Sequence, residues 1–519
     1  MTTGHRYSPF VPLPEHPELV FGLVAPVGVD MDLLAHALEH ALRQVGYRTI
    51  VIHLSERLAD FLGSRPSSEF ADEYERIAAR MDEGNRFRED YGNDAMAGLA
   101  VASIRAERRA VTGSSRTPAE RVAFVLRSLK RPEEVRTLRL VYGSAFSVVA
   151  GVTPREARIR ALASAIARSR SRTDPTPFLD RAEELAIRDE DEMQRENGQR
   201  LRDTFPLADV FVDASVPGRA AEEIRRLVEI LFGHPFHTPT VDEYLMFHAW
   251  AASLRSADPS RQVGAVVGTT DGQVLAAGSN EVPKAGGGFY WPAQDQGSDH
   301  RDWVLGKSAS HESRVEMVRD FLGTLARQDW LPPFFENLGG EKLEEILRAL
   351  KHAELMNVGE FGRAVHAEMA AITDAARRGV SLEGSVLYCT TFPCHNCARH
   401  IVATGIREVV YIEPYPKSRA LDLHGDAITE ERPRPNERIT RVVFRPHVGI
   451  APRFYERAFR SGRRLTDDPV PRPLDWSAVD ASPVYAHEEG GYPLTYLPRE
   501  VFAMQQNSAL ANIEEERRD

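Results

Sequence analysis

Cysteine is scarce in this sequence, with three residues among 519. So few cysteines cannot build the dense disulfide framework that small secreted proteins use in place of a large core. Two of the three, Cys394 and Cys397, belong to one short motif, and Cys389 lies in an apolar stretch just before it. The scarcity predicts a reducing compartment, and we expect the protein in the cytoplasm.

Long hydrophobic runs are also lacking. No stretch of about twenty apolar residues occurs, which is the length that a membrane-spanning helix needs. Residues 1–18 are rich in proline and lack the apolar segment of a signal peptide. We therefore expect neither a membrane span nor a membrane partner.

An excess of positive charge is missing as well, because 76 acidic residues outnumber 65 lysines and arginines and give a net charge of −11. The chain as a whole should not attract nucleic acid. One basic stretch contains six arginines: Arg155, Arg158, Arg160, Arg168, Arg170 and Arg172. Such a run is typical of a solvated helix face, and contact with RNA or DNA is the alternative.

Residues 1–235 have the pattern of an α/β domain, and the length of the chain allows two or three domains. An apolar run, a helix with apolar residues at helical spacing and a second apolar run form a βαβ opening over 19–25, 33–45 and 49–54. Further segments predict a strand over 137–149, a helix over 177–202 and a strand over 208–213.

Residues 240–465 form a second predicted domain, and 466–519 an irregular tail. The domain opens with a helix and continues with a hairpin of residues 263–268 and 274–278, turned at Asp271-Gly272. A long insertion over about 284–360 follows.

The most informative motif is His366-Ala367-Glu368, followed by Pro393-Cys394-His395-Asn396-Cys397. This pattern is typical of zinc-dependent nucleobase deaminases. His366, Cys394 and Cys397 would hold one zinc ion and leave a fourth position open for water, whose pKa the metal lowers. Glu368 would carry protons rather than bind the metal. The alternative is a closed structural site, for which His400 could compete as a further ligand.

The second domain resembles the deoxycytidylate deaminase branch of the cytidine deaminase superfamily through Arg261-Gln262-Val263-Gly264-Ala265-Val266-Val267, Gly278-Ser279-Asn280 and the two zinc motifs. The resemblance implies a three-layer α/β/α domain around a mixed sheet of about five strands. It also implies that Asn280 binds the sugar hydroxyl and the base. Relatives often carry a second His/Cys zinc site after this asparagine, but the stretch here offers no cysteine, so we expect one zinc per chain.

The whole chain is similar to the antiphage dCTP deaminases of bacteria, on the stretches 21–30, 198–205 and 413–418. That resemblance implies a degenerate P-loop nucleotide-kinase-like domain before the deaminase domain. It also implies a homo-oligomer and an RNA or protein that inhibits or activates the enzyme. We expect Lys417 and Ser418 to contact the phosphates of the substrate, with Arg261 as a second candidate cation. The alternative is that Lys417 and Arg419 are ordinary surface cations of a loop.

The loop after the first strand departs from a working P-loop, which reads G-x-x-x-x-G-K-[ST]. Gly22, Gly28 and Asp30 are the candidate nucleotide-binding residues, but Val29 and Asp30 stand where the lysine and the hydroxyl should be. Asp30 should cap the next helix instead. We predict no phosphoryl transfer, while nucleotide sensing stays open.

The sequence therefore predicts hydrolysis of the exocyclic amine of a free deoxycytidine nucleotide. The resemblance implies that this reaction is dCTP to dUTP, with dCMP to dUMP as a further reaction, and that its biological role is depletion of dCTP during phage infection. Three alternatives remain: a housekeeping dCMP deaminase, an RNA- or DNA-editing deaminase and a non-catalytic nucleotide-binding regulator.

Overall fold

The structure, a computed structural model of the chain, describes residues 16–190, 192, 195–306, 308–350, 353–357, 361–415, 418–431, 440–460, 464–478, 480–484 and 496–505. The chain forms two compact units. The first comprises Met1–Glu243 and Pro446–Asp519, and the second comprises Tyr244–Arg445. Both are built on a sheet covered by helices, so the predicted two-part α/β architecture is confirmed.

The first unit contains a six-stranded sheet. Its strands are β1 (Leu19–Val24), β2 (Arg48–His53), β3 (Val122–Arg127), β4 (Phe146–Val152), β5 (Val210–Asp213) and β12 (Gly449–Ile450). Their order is β12-β5-β4-β1-β3-β2. The first five strands are parallel, and β12 is antiparallel to β5. Strand β1, which is buried along its length, therefore lies between β3 and β4.

Helices connect the parallel strands of this sheet. They are α1 (Met31–Gln44), α2 (Leu54–Leu62), α3 (Glu73–Tyr91), α4 (Ala95–Thr112), α5 (Pro132–Tyr142), α6 (Arg155–Ser169), α7 (Leu179–Glu190), α8 (Leu201–Thr204) and α9 (Pro217–Leu231). The helix α10 (Val241–Ser253) contains the boundary between the units. Two helices near the end of the chain, α17 (Tyr455–Phe459) and α18 (Tyr496–Gln505), belong to the first unit. No helix in the described part of the chain is long and apolar enough to cross a membrane.

Several elements of the first unit differ from the sequence predictions. The strand predicted over 137–149 is the end of α5 followed by β4, because Val135, Leu138 and Val141 are buried at helical spacing. The helix predicted over 177–202 is divided into α7 and α8. Strand β3 was not predicted, although it pairs with both β1 and β2. Residues 446–465, grouped above with the second domain, include β12, which completes the first sheet.

The second unit contains a mixed six-stranded sheet rather than about five strands. Its strands are β6 (Gly264–Gly268), β7 (Val274–Ser279), β8 (Val386–Thr391), β9 (Glu408–Glu413), β10 (Ile428–Thr429) and β11 (Val442–Pro446). The order is β10-β11-β9-β8-β6-β7. Strand β6 is antiparallel to β7 and β8, and β8 is parallel to β9. The predicted hairpin is confirmed.

The helices of this unit are α11 (Asp302–Leu305), α12 (Ala309–Arg327), α13 (Gly340–Ala349), α14 (Ala367–Arg378), α15 (His395–Ala403) and α16 (Ala420–His424). The first three lie in the insertion between β7 and α14. Glu281 and Val365 close its base, because their backbones exchange two hydrogen bonds of 3.2 and 3.0 Å. The insertion therefore leaves β7 and returns to α14 at one place.

Two glycines let helices lie directly on the second sheet. A Cβ on Gly278 of β7 would be 2.3 Å from the Ala367 carbonyl oxygen of α14, and one on Gly264 of β6 would be 1.9 Å from the Ala249 carbonyl oxygen of α10. Only glycine allows such a close approach of two backbones. The start of α14 is thereby fixed against β7, which positions the zinc motif.

Candidate metal centre

Two helix starts bring the candidate ligands together. His366 is the N-cap residue of α14, and Cys394 is the N-cap residue of α15. Cys397 lies in the first turn of α15, buried, and β8 leads into this helix through Phe392 and Pro393. The motif residues therefore lie on a helix-strand-helix arrangement of α14, β8 and α15. The N–H groups at a helix start favour a thiolate over a thiol, which is the form that binds metal.

The geometry of the three side chains fits a zinc ion. Nδ1 of His366 is 3.4 Å from Sγ of Cys394 and 3.3 Å from Sγ of Cys397. Ligands at about 2.0–2.3 Å from a tetrahedral zinc ion are separated by about 3.5–3.8 Å, close to these values. All three ligand atoms lie within 4.8 Å of one another. The protein thus has a His/Cys/Cys group that can hold one zinc ion.

Without a metal ion, the three ligand side chains share protons with one another. Hydrogen bonding from Cys397 and His366 lowers the pKa of the Cys394 thiol to about 3. The hydrogen bond to Cys394 raises the pKa of His366 to about 9, against the effect of burial. The hydrogen bond with Cys394 and burial raise the pKa of Cys397 well above its usual range. A divalent cation in this position would replace the shared protons, since zinc binds deprotonated ligands.

The group has three members among the described residues, and His400 on α15 is not one of them. A structural zinc site is normally closed by four protein ligands, whereas a catalytic site keeps one position open. The arrangement therefore favours the catalytic alternative of the sequence analysis.

Glu368 lies in the first turn of α14 and is 4% exposed. Burial raises the pKa of its carboxyl group, although the positive charge of His366 opposes the shift. Glu368 does not belong to the metal-ligand group, yet it interacts electrostatically with His366 and Cys394 and is hydrogen-bonded to Cys397. A carboxyl group with a raised pKa beside an open metal position is suited to take up and release a proton.

Asn280 lies just after β7 and is 7% exposed. Its Oδ1 accepts a hydrogen bond of 2.7 Å from the Val263 N–H, and its Nδ2 donates one of 2.8 Å to the Arg261 carbonyl. The side chain therefore joins the start of β6 to the end of β7. An amide can make further hydrogen bonds, and contact with sugar and base stays a prediction.

Arg261 precedes β6 and is partly exposed. Its guanidinium stacks on the Tyr415 ring at 5.1 Å from the centroid, and its Nη1 is 3.8 Å from Oε2 of Glu413 at the end of β9. The Thr391 hydroxyl donates to the same carboxylate oxygen over 3.3 Å. Arg261 is thus oriented near the ends of β8 and β9, which the sequence did not indicate.

Ser418 lies beside the metal motif, because its hydroxyl donates a 2.8 Å hydrogen bond to the Pro393 carbonyl. A hydroxyl has a single proton to donate. A contact with phosphate through that proton would require this bond to break, so the predicted role of Ser418 stays a prediction. Lys417, the other candidate in this loop, lies outside the described residues.

The stretch after Asn280 is stabilised by ion pairs. Nη1 of Arg301 is 3.7 Å from Oε2 of Glu281, its Nη2 is 2.5 Å from Oδ2 of Asp299, and Nζ of Lys284 is 2.9 Å from Oδ1 of Asp295. No second metal-ligand group occurs in the described ranges. The positive charges of Arg301 and Lys284 balance the negative charges of these three carboxylates, which therefore need no metal ion as a partner.

The candidate loop of the first unit has a different structure from a phosphate-binding loop. Gly22 lies inside β1, where a Cβ would be 2.6 Å from Cδ1 of Leu129. Gly28 has a φ of +90°, and a Cβ there would be 2.6 Å from the Arg158 carbonyl oxygen. Asp30 caps α1 as predicted, because its Oδ1 accepts a 2.9 Å hydrogen bond from the Leu33 N–H. A nucleotide-binding role of these residues stays a prediction.

Several arginines of the basic stretch are in ion pairs. On α6, Arg155 pairs with Glu183, and Nη2 of Arg158 is 2.9 Å from Oε1 of Glu190. Arg160 pairs with Glu156, four residues earlier on the same helix, and Arg170 pairs with the buried Asp72. Arg158 is buried and is therefore not part of a solvated face. The ion pairs of the other arginines favour a solvated helix face over a nucleic-acid surface.

Comparison with known proteins locates the deaminase region. A family model described as the cytidine and deoxycytidylate deaminase zinc-binding region matches residues 239–413. The deoxycytidylate deaminase of Enterobacteria phage T2 is 47% identical over 174 residues, which cover 33% of this chain and 79% of that protein. The deoxycytidylate deaminase of Enterobacteria phage T4 is 29% identical over 171 residues, 33% of this chain and 77% of that protein.

Among solved structures, the apo dCMP deaminase of cyanophage S-TIM5 matches 41% of this chain and 100% of its own, with 18% sequence identity and a TM-score of 0.22. The matches to the T2 and T4 proteins lie within about a third of the chain, and most of each relative is covered. Three observations point to the same family: the 47% identity over most of the T2 protein, the match to the zinc-binding region and the geometry of the His/Cys/Cys group. The chain belongs to the cytidine and deoxycytidylate deaminase family.

Proposed function

We propose that the protein deaminates free deoxycytidine nucleotides, with dCTP as the preferred substrate and dUTP as the product. The observation that carries this proposal is the juxtaposition of the His366, Cys394 and Cys397 ligand atoms with the buried Glu368 carboxyl group. Three ligands leave room for a water molecule, and the fourth group is an acid that is not a ligand.

Each of these residues has a separate task. Zinc, when bound, supplies an activated water for attack on C4 of cytosine. His366 and the two cysteines hold the metal at the junction of α14 and α15. Glu368 takes one proton from the attacking water and passes it to N3 of the base. It then takes the second proton from the hydroxyl group left on C4 and passes it to the amine, so that ammonia leaves and the C4 carbonyl forms. Its raised pKa matches this task, because the carboxyl group must both accept and release a proton.

Recognition of a triphosphate requires local cations in a protein whose net charge is −11. Arg261 supplies one, since its guanidinium is held between Tyr415 and Glu413. Lys417 would supply a second from the loop that contains Ser418, and the Ser418 hydroxyl is bonded to the residue before Cys394. This bond places Ser418 next to the metal motif, where a neighbouring cation would be close to the substrate.

The role in defence rests on the size of the chain. The matched region spans residues 239–413, so apart from residues 239–243 the first unit lies outside that match. A housekeeping dCMP deaminase does not need such a unit. Control of a reaction that depletes dCTP would need one, since the reaction harms the host when no phage is present. We propose that the first unit restrains the deaminase until infection, through an RNA or protein partner.

The editing alternative is less well supported. Binding of single-stranded nucleic acid needs a basic groove with aromatic platforms. The net charge is acidic, and several arginines of the basic stretch are already paired.

One experiment separates these candidates. Purified protein is incubated with dCTP, dCMP, CTP and a cytosine-containing oligonucleotide, and ammonia release and product are measured for each. Glu368→Gln serves as the inactive control. We expect dCTP to exceed dCMP about tenfold or more in kcat/KM, the value of one charge-assisted phosphate contact. A preference for dCMP would support the housekeeping enzyme, and turnover of the oligonucleotide alone would support editing.

The defence role has its own test. Bacteria that produce the wild-type protein or Glu368→Gln are infected with phage, and dCTP is measured during infection together with plaque number. We expect dCTP and plaques to fall with the wild-type protein only. Equal protection by Glu368→Gln would show that deamination is not the basis of any defence.

A further inference from the structure

A carboxylate from a distant helix occupies the loop that follows the first strand. The Val27 N–H donates a 2.7 Å hydrogen bond to Oδ2 of Asp189, which lies 162 residues further along the chain on α7. The side chain of Asp189 is 0% exposed. A backbone N–H just after β1 is therefore used by an acidic side chain of the protein itself.

A cation completes the arrangement. Nζ of Lys130, which follows β3, forms an ion pair with Asp189 at 2.8 Å from Oδ1 and donates a 2.8 Å hydrogen bond to the Ala25 carbonyl. The carboxylate thus has a loop N–H on one oxygen and an ammonium group on the other. These are the two kinds of donor, backbone amide and lysine, with which phosphate-binding loops hold phosphates.

The rest of the loop is closed as well. Val29 is 8% exposed, and a Cβ on Gly151 of β4 would be 2.9 Å from its Cγ1, so Val29 packs on the sheet. Gly28 lies so close to the Arg158 backbone that a Cβ on it would be 2.6 Å from the Arg158 carbonyl oxygen, so no phosphate fits between them. At the start of α1, Oδ1 of Asp30 already accepts the Leu33 N–H.

We propose that Asp189 is an internal ligand that fills the anion position of this loop, so that the loop binds no nucleotide phosphate in the native protein. A phosphate at hydrogen-bonding distance from Val27 and Lys130 would meet the Asp189 carboxylate, and two like charges at that distance repel each other strongly in a buried site. Any nucleotide that regulates the first unit must therefore bind elsewhere. This proposal is independent of the deaminase reaction.

Removal of the carboxylate should expose the position to an external anion. In Asp189→Ala, the Val27 N–H and the Lys130 ammonium lose their partner, and inorganic phosphate becomes the natural replacement. We expect amide hydrogen exchange of a peptide covering residues 22–34 to accelerate about 10- to 100-fold, as after loss of a charge-assisted hydrogen bond. Millimolar phosphate should reverse most of that change in this variant.

The full-length zinc-loaded protein is used, and the exchange of this one peptide reports on the loop separately from the deaminase site. In the wild-type protein, phosphate, pyrophosphate and Mg-ATP should leave the exchange of 22–34 unchanged relative to chloride at equal ionic strength. Asp189→Asn is the matched control, because the amide keeps an acceptor for Val27 and still fills the space. Because it loses only the charge, it should accelerate exchange less than Asp189→Ala and show no response to phosphate.

Two results would overturn the proposal. One is protection of residues 22–34 from exchange in the wild-type protein by phosphate or Mg-ATP. The buried Arg158 would then be the group that contacts the phosphate, since its Nε and Nη1 have no hydrogen-bond partner among the described residues. The other is a folded Asp189→Ala protein with unchanged exchange and no effect of phosphate. If Asp189→Ala does not fold, the wild-type and Asp189→Asn measurements decide the question.

Discussion

Glu368 and the three candidate ligands lie at the starts of two helices, but their surroundings give them different chemistry. Contacts within the group raise the pKa of His366 to about 9 and lower that of Cys394 to about 3. For Glu368, burial is the main influence on the pKa of the carboxyl group and raises it. Metal binding and proton transfer should therefore be separable by substitution of single residues.

Substitution of His366, Cys394 or Cys397 by alanine should remove both zinc and activity, because each side chain is one of only three in the ligand group. Glu368→Gln should keep the zinc and the fold and lose activity about 10²- to 10⁴-fold, the usual contribution of a general acid or base. Elemental analysis of the purified variants and turnover of dCTP measure the two effects. A folded, zinc-free Glu368→Gln protein would contradict the assignment of Glu368 as a proton carrier.

Lys417→Ala and Arg261→Ala test the proposed phosphate contacts. Each should lower kcat/KM for dCTP about 10- to 100-fold and leave deoxycytidine unaffected, since loss of a charge-assisted hydrogen bond costs about 1.5–3 kcal/mol. Lys342→Ala is the control, because this lysine on α13 pairs with Glu345, three residues later on the same exposed helix face. Equal losses on both substrates would exclude a specific role in phosphate binding.

At the level of secondary structure, the metal centre depends on how α14 lies on β7. The helix approaches the strand so closely that a side chain on Gly278 would contact its backbone. His366 and Glu368 are at the same end of α14 as that contact. Displacement of this helix should therefore change the metal site before it changes the rest of the unit.

Gly278→Ala should lower zinc affinity and stability together. Its Cβ would be 2.3 Å from the Ala367 carbonyl oxygen and 2.4 Å from the Ala371 nitrogen, so helix and strand must separate at a cost of about 1–3 kcal/mol or more. Gly218→Ala is the control, since α9 leaves open space around Gly218 and alanine favours a helix. The Tm and the zinc content of both variants are measured. A Gly278→Ala protein with normal zinc content would show that the contact does not control the site.

Asp72 links three helices of the first unit and should give a pH-dependent stability. It caps α3 through the Glu75 N–H at 2.9 Å, and its Oδ2 accepts hydrogen bonds from Arg170 and Arg181 over 2.6 and 3.3 Å. Burial acts to raise the pKa of its carboxyl group, but these hydrogen bonds outweigh it and lower the pKa from its ordinary value of 3.8. A lowered pKa in the folded state stabilises the fold above the unfolded-state value and ceases to do so as pH falls through the folded-state value.

Asp72→Asn should therefore lower the Tm at neutral pH by an amount equivalent to about 1.5–3 kcal/mol, because the amide can keep the α3 cap but loses the charge-assisted hydrogen bonds from Arg170 and Arg181. The difference from the wild-type protein should shrink as pH falls below 3.8. Thermal unfolding followed over a pH series measures it, with Asp180→Asn on the exposed first turn of α7 as the control. A difference that stays constant down to the lowest pH would mean that the charge of Asp72 is not responsible.

On the scale of the whole molecule, the parallel sheet of the first unit and the mixed sheet of the second have separate tasks in the proposed enzyme. The match to known deaminases extends to residue 413 and leaves the first unit without an assigned activity. The residues at its β1–α1 loop lack the lysine and the hydroxyl of a kinase. We therefore expect regulation, and not phosphoryl transfer, from this part of the chain.

The purified protein should neither hydrolyse ATP nor transfer phosphate to dCMP. Asp30→Ala should lower the free energy of unfolding by about 1 kcal/mol through loss of the α1 cap and leave the background phosphate release unchanged. Radiolabelled ATP and thin-layer separation of products detect either reaction. Phosphoryl transfer that disappears in Asp30→Ala would mean that this aspartate acts on a nucleotide.

Local patterns account for what could be predicted from the sequence. The spacing of His366, Glu368, Cys394 and Cys397 indicates the metal, the acid and the two helix starts, since each depends on neighbours a few residues away. The hairpin of β6 and β7 follows from alternation and an Asp-Gly turn. Strand β3 was missed although residues 122–126 are a short apolar run of the kind that predicts a buried strand. The division between α7 and α8 was missed although Asn197-Gly198 between them is a turn signal.

The sequence by itself therefore determined the chemistry of this protein: its family, its zinc ligands and its candidate acid, all encoded within short segments. Only the tertiary structure decided which distant side chains meet. It joins Asp189 to Val27, Ser418 to Pro393, and β12 to β5 at the edge of the first sheet. These contacts depend on the path of the chain between the two partners, and no local preference of either segment specifies that path.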